Sequence, residues 1–190
     1  MKNQFNFTII IPVLLFFSLL TFTTSCEETS EMVDDTVVEH RKSPIVISSA
    51  AHEGTYIKVV YGQPYKRGRP IFGELEPFGD VWRTGANEAT EITITDDVLM
   101  DGNPVDADTY ALFTIPQEDE WTVILNTALG QWGAFDYDEE QDYLRFNRPA
   151  RETETVIEAM TIAFDEVENG RTTLYIAWDN TKIEIPIEFL

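Results

Sequence analysis

From Ile45 onward the apolar positions recur every second residue. Tyr56, Lys58 and Val60 alternate with Ile57, Val59 and Tyr61, and Ile92 and Ile94 alternate with threonines. Short β-branched and aromatic runs follow at Ala111 to Ile115 and Trp121 to Leu125, parted by Pro116-Gln117-Glu118-Asp119-Glu120. The pattern returns in Met160 to Phe164, Thr172 to Trp178 and Ile183 to Ile187. A period of two describes strands with one face buried. Turn-forming runs punctuate them at Asp101-Gly102-Asn103-Pro104, Glu168-Asn169-Gly170 and Asp179-Asn180. The pattern predicts an all-β domain, an antiparallel β-sandwich (jelly-roll-like or a partly open barrel) with long loops and little helix. A short helix is expected only near Glu139 to Leu144. Pro186, in the last strand, predicts an edge position, because proline cannot donate to a ladder.

The first 44 residues follow a different pattern. Lys2 precedes an apolar stretch from Ile9 to Leu20 that is broken only by Pro12 and Ser18. A membrane-spanning helix needs about 20 apolar residues, so this run suits the core of a secretory signal. Thr21, Thr23, Thr24 and Ser25 lead to Cys26, the only cysteine. A lone thiol cannot close an internal disulfide. Its place directly after a signal core resembles a lipoprotein acylation site, although Thr23 stands where such sites usually carry an aliphatic residue. The acidic run behind it, Glu27, Glu28, Glu31, Asp34, Asp35 and Glu39, resembles the surface-export signal of Bacteroidetes lipoproteins. The expected organisation is a signal peptide over 1–25, an acidic tether over 26–44, and one domain over 45–190. Lipid on Cys26 would make the membrane a partner and place the protein in the cell envelope, as an outer-membrane and possible surface lipoprotein.

Charge narrows the partners. Thirteen basic residues face 34 acidic ones, a net charge of −21. Such a surface repels phosphate backbones, so nucleic acid is excluded as the expected partner. His40 and His52 are isolated and have no cysteine partner, so no zinc site is expected. No phosphate loop, dinucleotide fingerprint or nucleophile elbow is present, and the reading is of no metal and no cofactor.

Candidate chemistry concentrates between Tyr61 and Thr90, where Lys66, Arg67, Arg69 and Arg83 gather among glycines and prolines. Arginine presents a planar donor fork suited to carboxylate or phosphate. Arg69, Trp82, Arg83, Asn87 and Glu88 are therefore candidate contacts for a small polar ligand. The competing reading is that the arginines hold the loop onto carboxylates and Trp82 plugs the core. A second cluster is Gln131 to Tyr137 with Asp142. Trp132 and Tyr137, if exposed, could stack on a sugar ring. Glu88 with Asp142 could instead supply the paired carboxylates of an envelope hydrolase acting on a glycan or ester. A third possibility is a protein-interaction scaffold.

One run of text is more specific. Gly68-Arg69-Pro70-Ile71-Phe72-Gly73, Trp82-Arg83-Thr84-Gly85-Ala86-Asn87-Glu88-Ala89-Thr90, Tyr110 to Pro116, Trp121 to Asn126 and Gln131-Trp132-Gly133 occur in that order. Together they resemble the bacterial domain-of-unknown-function family 2911, over roughly Ile45 to Leu190. The family usually has glycine where Asp108 stands here, and aspartate tolerates the same turn better than most residues. The resemblance implies no established activity.

Overall fold

The computed structural model describes residues 41–190; the expected signal peptide, Cys26 and the expected tether up to His40 lie outside them. Strands β1 (Ile45–His52), β2 (Thr55–Gly62), β3 (Thr90–Ile94), β6 (Thr109–Ile115), β7 (Glu120–Asn126) and β8 (Asp142–Pro149) form one six-stranded antiparallel sheet, in the order β1-β2-β3-β6-β7-β8. Strands β4 (Val98–Met100), β5 (Asn103–Val105), β9 (Arg151–Phe164) and β10 (Arg171–Phe189) form the other, in the order β5-β4-β10-β9. The sheets pack as an open sandwich, not a closed barrel.

The two-residue period explains which side chains lie between the sheets. Ile57, Val59, Ile92, Leu112, Val123 and Leu125 from the first sheet meet Ile162, Leu174, Ile176, Ile183 and Ile185 from the second. One end of this core is aromatic. Phe72 packs edge-on against Trp121, with ring centroids 4.7 Å apart, and Trp82 stacks on Trp178 at 6.0 Å. Edge-to-face and offset geometries of this kind suit the quadrupoles of the rings.

β10 is a single extended run that doubles back. A straight strand of that length would separate its ends by roughly 60 Å. Yet the Phe189 N–H donates to Gly170 O at 2.8 Å, and Arg171 pairs with Glu188 at 3.0 Å. The reversal falls at Asp179, whose φ is +54°, at the Asp179-Asn180 turn signal. Pro186 is therefore not on an edge, contrary to expectation. It lies between β4 and the first half of β10, at the rung where β4 turns away. There it accepts from the Asp101 N–H at 2.8 Å and lacks only the return bond.

The expected helix is a single 3-10 turn, Glu139–Gln141, capped by the Asp138 side chain on the Glu140 N–H. From Asp142 the chain runs straight into β8, where Leu144 and Phe146 turn inward and Arg145 and Asn147 outward. The alternation in this segment outweighs the helix-compatible acids before it.

Candidate functional site

The loop before β3 is shaped by close approach and by left-handed backbone. Thr84 and Asn87 have φ of +53° and +69°. For a β-branched threonine this is a costly conformation that persists only where neighbours enforce it. Thr84 is fully buried, and its hydroxyl lies 3.0 Å from that of Thr114. Its carbonyl accepts from the Thr90 hydroxyl at 2.7 Å. The loop then passes over β2, where Ala86 N–H donates to Gly62 O at 3.0 Å. A Cβ on Gly62 would lie 2.0 Å from Ala86 O, so only glycine permits the crossing.

The second loop reaches the first across the outer face of the six-stranded sheet. With Leu112, Val123 and Leu125 turned inward, their neighbours Ala111, Phe113 and Ile124 point outward. There they form a small second core with Ala89, covered by Val81, Ala134 and Tyr137. This anchors the 127–141 connection flat on the sheet and fixes its register against the first loop. Ala89 N–H donates to Gln131 O and Gly133 N–H to Asn87 O, each at 2.9 Å. Glu88 and Trp132 sit directly opposite each other in an isolated antiparallel bridge. Opposed residues of such a bridge carry their side chains on one face.

Beside this junction lies a cleft of about 220 Å³ whose walls include Ile45, Val60, Glu88, Ala89, Glu91 and Gln131. Its walls are mainly apolar and its side-chain polar groups are mostly hydrogen-bond acceptors. Gln131 Nε2 donates to Ala128 O at 2.8 Å, which leaves its buried Oε1 without a partner. Trp132 remains 59% exposed. A larger and shallower hollow of about 680 Å³ lies on the other sheet between Gly102, Asp165, Glu168 and Glu188. It contains none of the candidate residues, and its arginine, Arg171, is already paired with Glu188. The junction cleft is the more enclosed of the two and the one that a candidate residue, Glu88, lines.

The family model described as Protein of unknown function (DUF2911) matches residues 43–187. The chain belongs to this family. No curated protein and no solved structure matches it. Most of the DUF2911 run from Trp82 to Thr90 builds the loop and leaves little of it to meet a ligand. Trp82 is 3% exposed and its Nε1 donates to Gly85 O at 3.2 Å. As a ligand contact it is corrected to a core residue, since it has no open face.

The other candidates divide. Asn87, Glu88 and Trp132 are brought together. Arg69 clamps its own loop, donating from Nε to Lys66 O at 2.9 Å and from Nη2 to Tyr65 O at 2.7 Å. Lys66 in turn pairs with Asp179 at 2.7 Å. The basic cluster thus holds the long loop down, more through backbone carbonyls than through carboxylates. Arg83 is half-buried with its Nε unpartnered, and it faces Glu76, a residue that its sequence context does not single out. Burial pushes the Glu76 carboxyl up to about 7, outweighing the nearby Arg83 and Arg69 charges.

Tyr137 and Asp142 are engaged with each other and with the sheet. The Tyr137 ring packs on Phe113 at 5.1 Å, and its hydroxyl donates to Asp142 Oδ2 at 2.7 Å. Asp142, with its side chain 7% exposed, also accepts from Asn126 Nδ2 at 2.8 Å and pairs with Arg145 at 3.1 Å. These contacts fasten the loop to the sheet. Glu88 and Asp142, the candidate carboxylate pair, each have partners of their own. Glu88 stands in the loop before β3, and Asp142 opens β8. Arg41 pairs with Glu88 and holds its carboxyl below the usual range, which unsuits it to serve as a general acid. Among the described residues, no group of three His, Cys, Asp or Glu is arranged to hold a metal ion. No helix among them is long and apolar enough to cross a membrane.

Proposed function

We propose that this DUF2911 protein is a lipid-anchored, extracytoplasmic binding module for a small hydroxyl-rich ligand of the glycan class. The observation that carries this reading is the exposed Trp132, held opposite Glu88 beside a cleft lined by Glu88, Glu91 and Gln131. A sugar ring supplies an apolar face for stacking and hydroxyl donors for the acceptors around it. The carboxylates at the cleft disfavour anionic ligands, in line with the −21 charge of the whole chain. Anchoring through Cys26 follows from the leader alone and is part of the proposal.

The test is ligand-induced thermal stabilisation across a panel of neutral and amino-sugar oligosaccharides, with Trp132→Ala and Gln131→Ala beside the wild-type chain. The reading requires at least one sugar to raise the wild-type melting temperature and neither variant to respond, while both variants keep the wild-type circular dichroism spectrum. Wild-type stabilisation that survives in both variants would move the site elsewhere. No response to any sugar would reject the glycan class. Metabolic labelling with a fatty acid tests the anchor separately, and an unlabelled mature protein would refute it.

A further inference from the structure

Strand β1 lies at the edge of the six-stranded sheet, and no described strand pairs with its free side. The hairpin turn at Glu53-Gly54 fixes which of its backbone groups are unpaired. His52 and Thr55 flank the turn, so Ala50, Ser48 and Val46 alternate with it in bonding toward β2. The Gln63 N–H to Pro44 O bond at 2.8 Å continues the same alternation one rung further. Ile45, Ile47, Ser49 and Ala51 therefore direct both N–H and C=O away from β2.

Folded proteins usually guard such an edge with charge, proline, a bulge or shortness. β1 has none of these. It runs for eight residues in unbroken register with β2 and contains no proline, lysine, arginine or acid. Ile45 and Ile47 remain 54% and 63% exposed.

We propose that this edge pairs with β1 of a second copy, antiparallel about a two-fold axis at Ser48, fusing two six-stranded sheets into one. The four outward residues are symmetric about Ser48. In that register Ile45 lies opposite the partner's Ala51, and Ile47 opposite the partner's Ser49. Every outward donor then meets an outward acceptor, and each exposed isoleucine packs beside a small side chain. Two chains of net charge −21 repel one another, a cost that self-pairing must overcome, and β1 itself adds no carboxylate to it. An isologous interface needs only this one self-complementary patch. A single strand pair is a small interface, so the dimer dissociates on dilution. The inference does not rest on the ligand reading, although Ile45 borders both the cleft and the proposed seam.

Sedimentation velocity over a dilution series of the full chain in mild detergent tests it, comparing wild type with Ile47→Lys and Ser49→Pro. Ile47→Lys places a charge at an already exposed position, and Ser49→Pro deletes one outward donor. The expected result is a wild-type dimer with at least tenfold weaker association in both variants and unchanged β-sheet circular dichroism. Hydrogen exchange adds a check that does not depend on variant folding: the amides of Ile45, Ile47, Ser49 and Ala51 gain protection as wild-type concentration rises. A wild-type monomer at all concentrations would overturn the proposal. So would a dimer equally persistent in Ile47→Lys, or concentration-independent exchange at those four amides.

Discussion

Glu88 and Trp132 face each other across one isolated bridge, and that pairing brings two distant loops to the same cleft. Neither loop is rigid through regular structure of its own. The first is fixed by Thr84 and Gly62 beneath it, and the second by Tyr137 and Ala134 packed on the outer face of the sheet.

The two candidate tryptophans are expected to behave in opposite ways. Trp82→Ala removes a core ring stacked on Trp178 and should cost about 3–5 kcal/mol. Trp132→Ala should change stability by less than about 1 kcal/mol, because most of the ring is in water. Urea denaturation of both variants measures this. Equal losses would show that Trp132 is structural too.

Gly62→Ala should be among the most damaging single-methyl changes in the domain. Its Cβ has no room beside Ala86 O, and the obstacle is backbone that is itself hydrogen-bonded to Gly62. A loss of about 3 kcal/mol is expected from the forced displacement. Loss of ligand response should accompany it, because the displaced loop carries Glu88. Gly54→Ala is the contrasting case: nothing lies within 4 Å of its Cβ, so any loss there comes from its φ of +98° and not from overlap. Denaturant midpoints measure both, and an unchanged midpoint for Gly62→Ala would refute the clash.

Glu76 should make stability fall as pH rises. Its folded pKa is about 7, above the ordinary 4.5, so between those values the folded state binds more protons than the unfolded one. Stability from this group is therefore complete below about pH 4.5 and is lost as pH rises through 7. Glu76→Gln should remove that component and be more stable than wild type at pH 8 by about 1–3 kcal/mol. Denaturant midpoints at pH 5 and pH 8 decide the matter. Parallel pH profiles for the two proteins would show that Glu76 is not held protonated.

Tyr137→Phe tests the fastening of the second loop. Burial and the Asp142 carboxylate push the phenol up, so the hydroxyl stays protonated and donates at neutral pH. Its removal should cost about 1.5–3 kcal/mol, the range for a bond to a charged acceptor. Faster amide exchange should follow at Gly133 and Ala89, whose bonds join the loops. Unchanged exchange there would uncouple Tyr137 from the junction.

The sequence by itself determined the class of fold, most of the strands and three of the turns. Alternation is a local property, and Asp-Gly or Asn-Gly pairs adopt left-handed backbone wherever they stand. It also determined the family, through a run that proves to be loop-building. It favoured an edge for Pro186 and a helix at Glu139 to Leu144, because composition cannot show which strand lies alongside or how far a cap propagates. Only the tertiary structure decided that Asn87, Glu88 and Trp132 meet, that Trp82 enters the core, and that Tyr137 and Asp142 fasten a loop to the outer face of the sheet. Exposure depends on which sheet face a loop crosses and on what already covers it. That arrangement is set by contacts between residues far apart in the chain, and no local pattern records them.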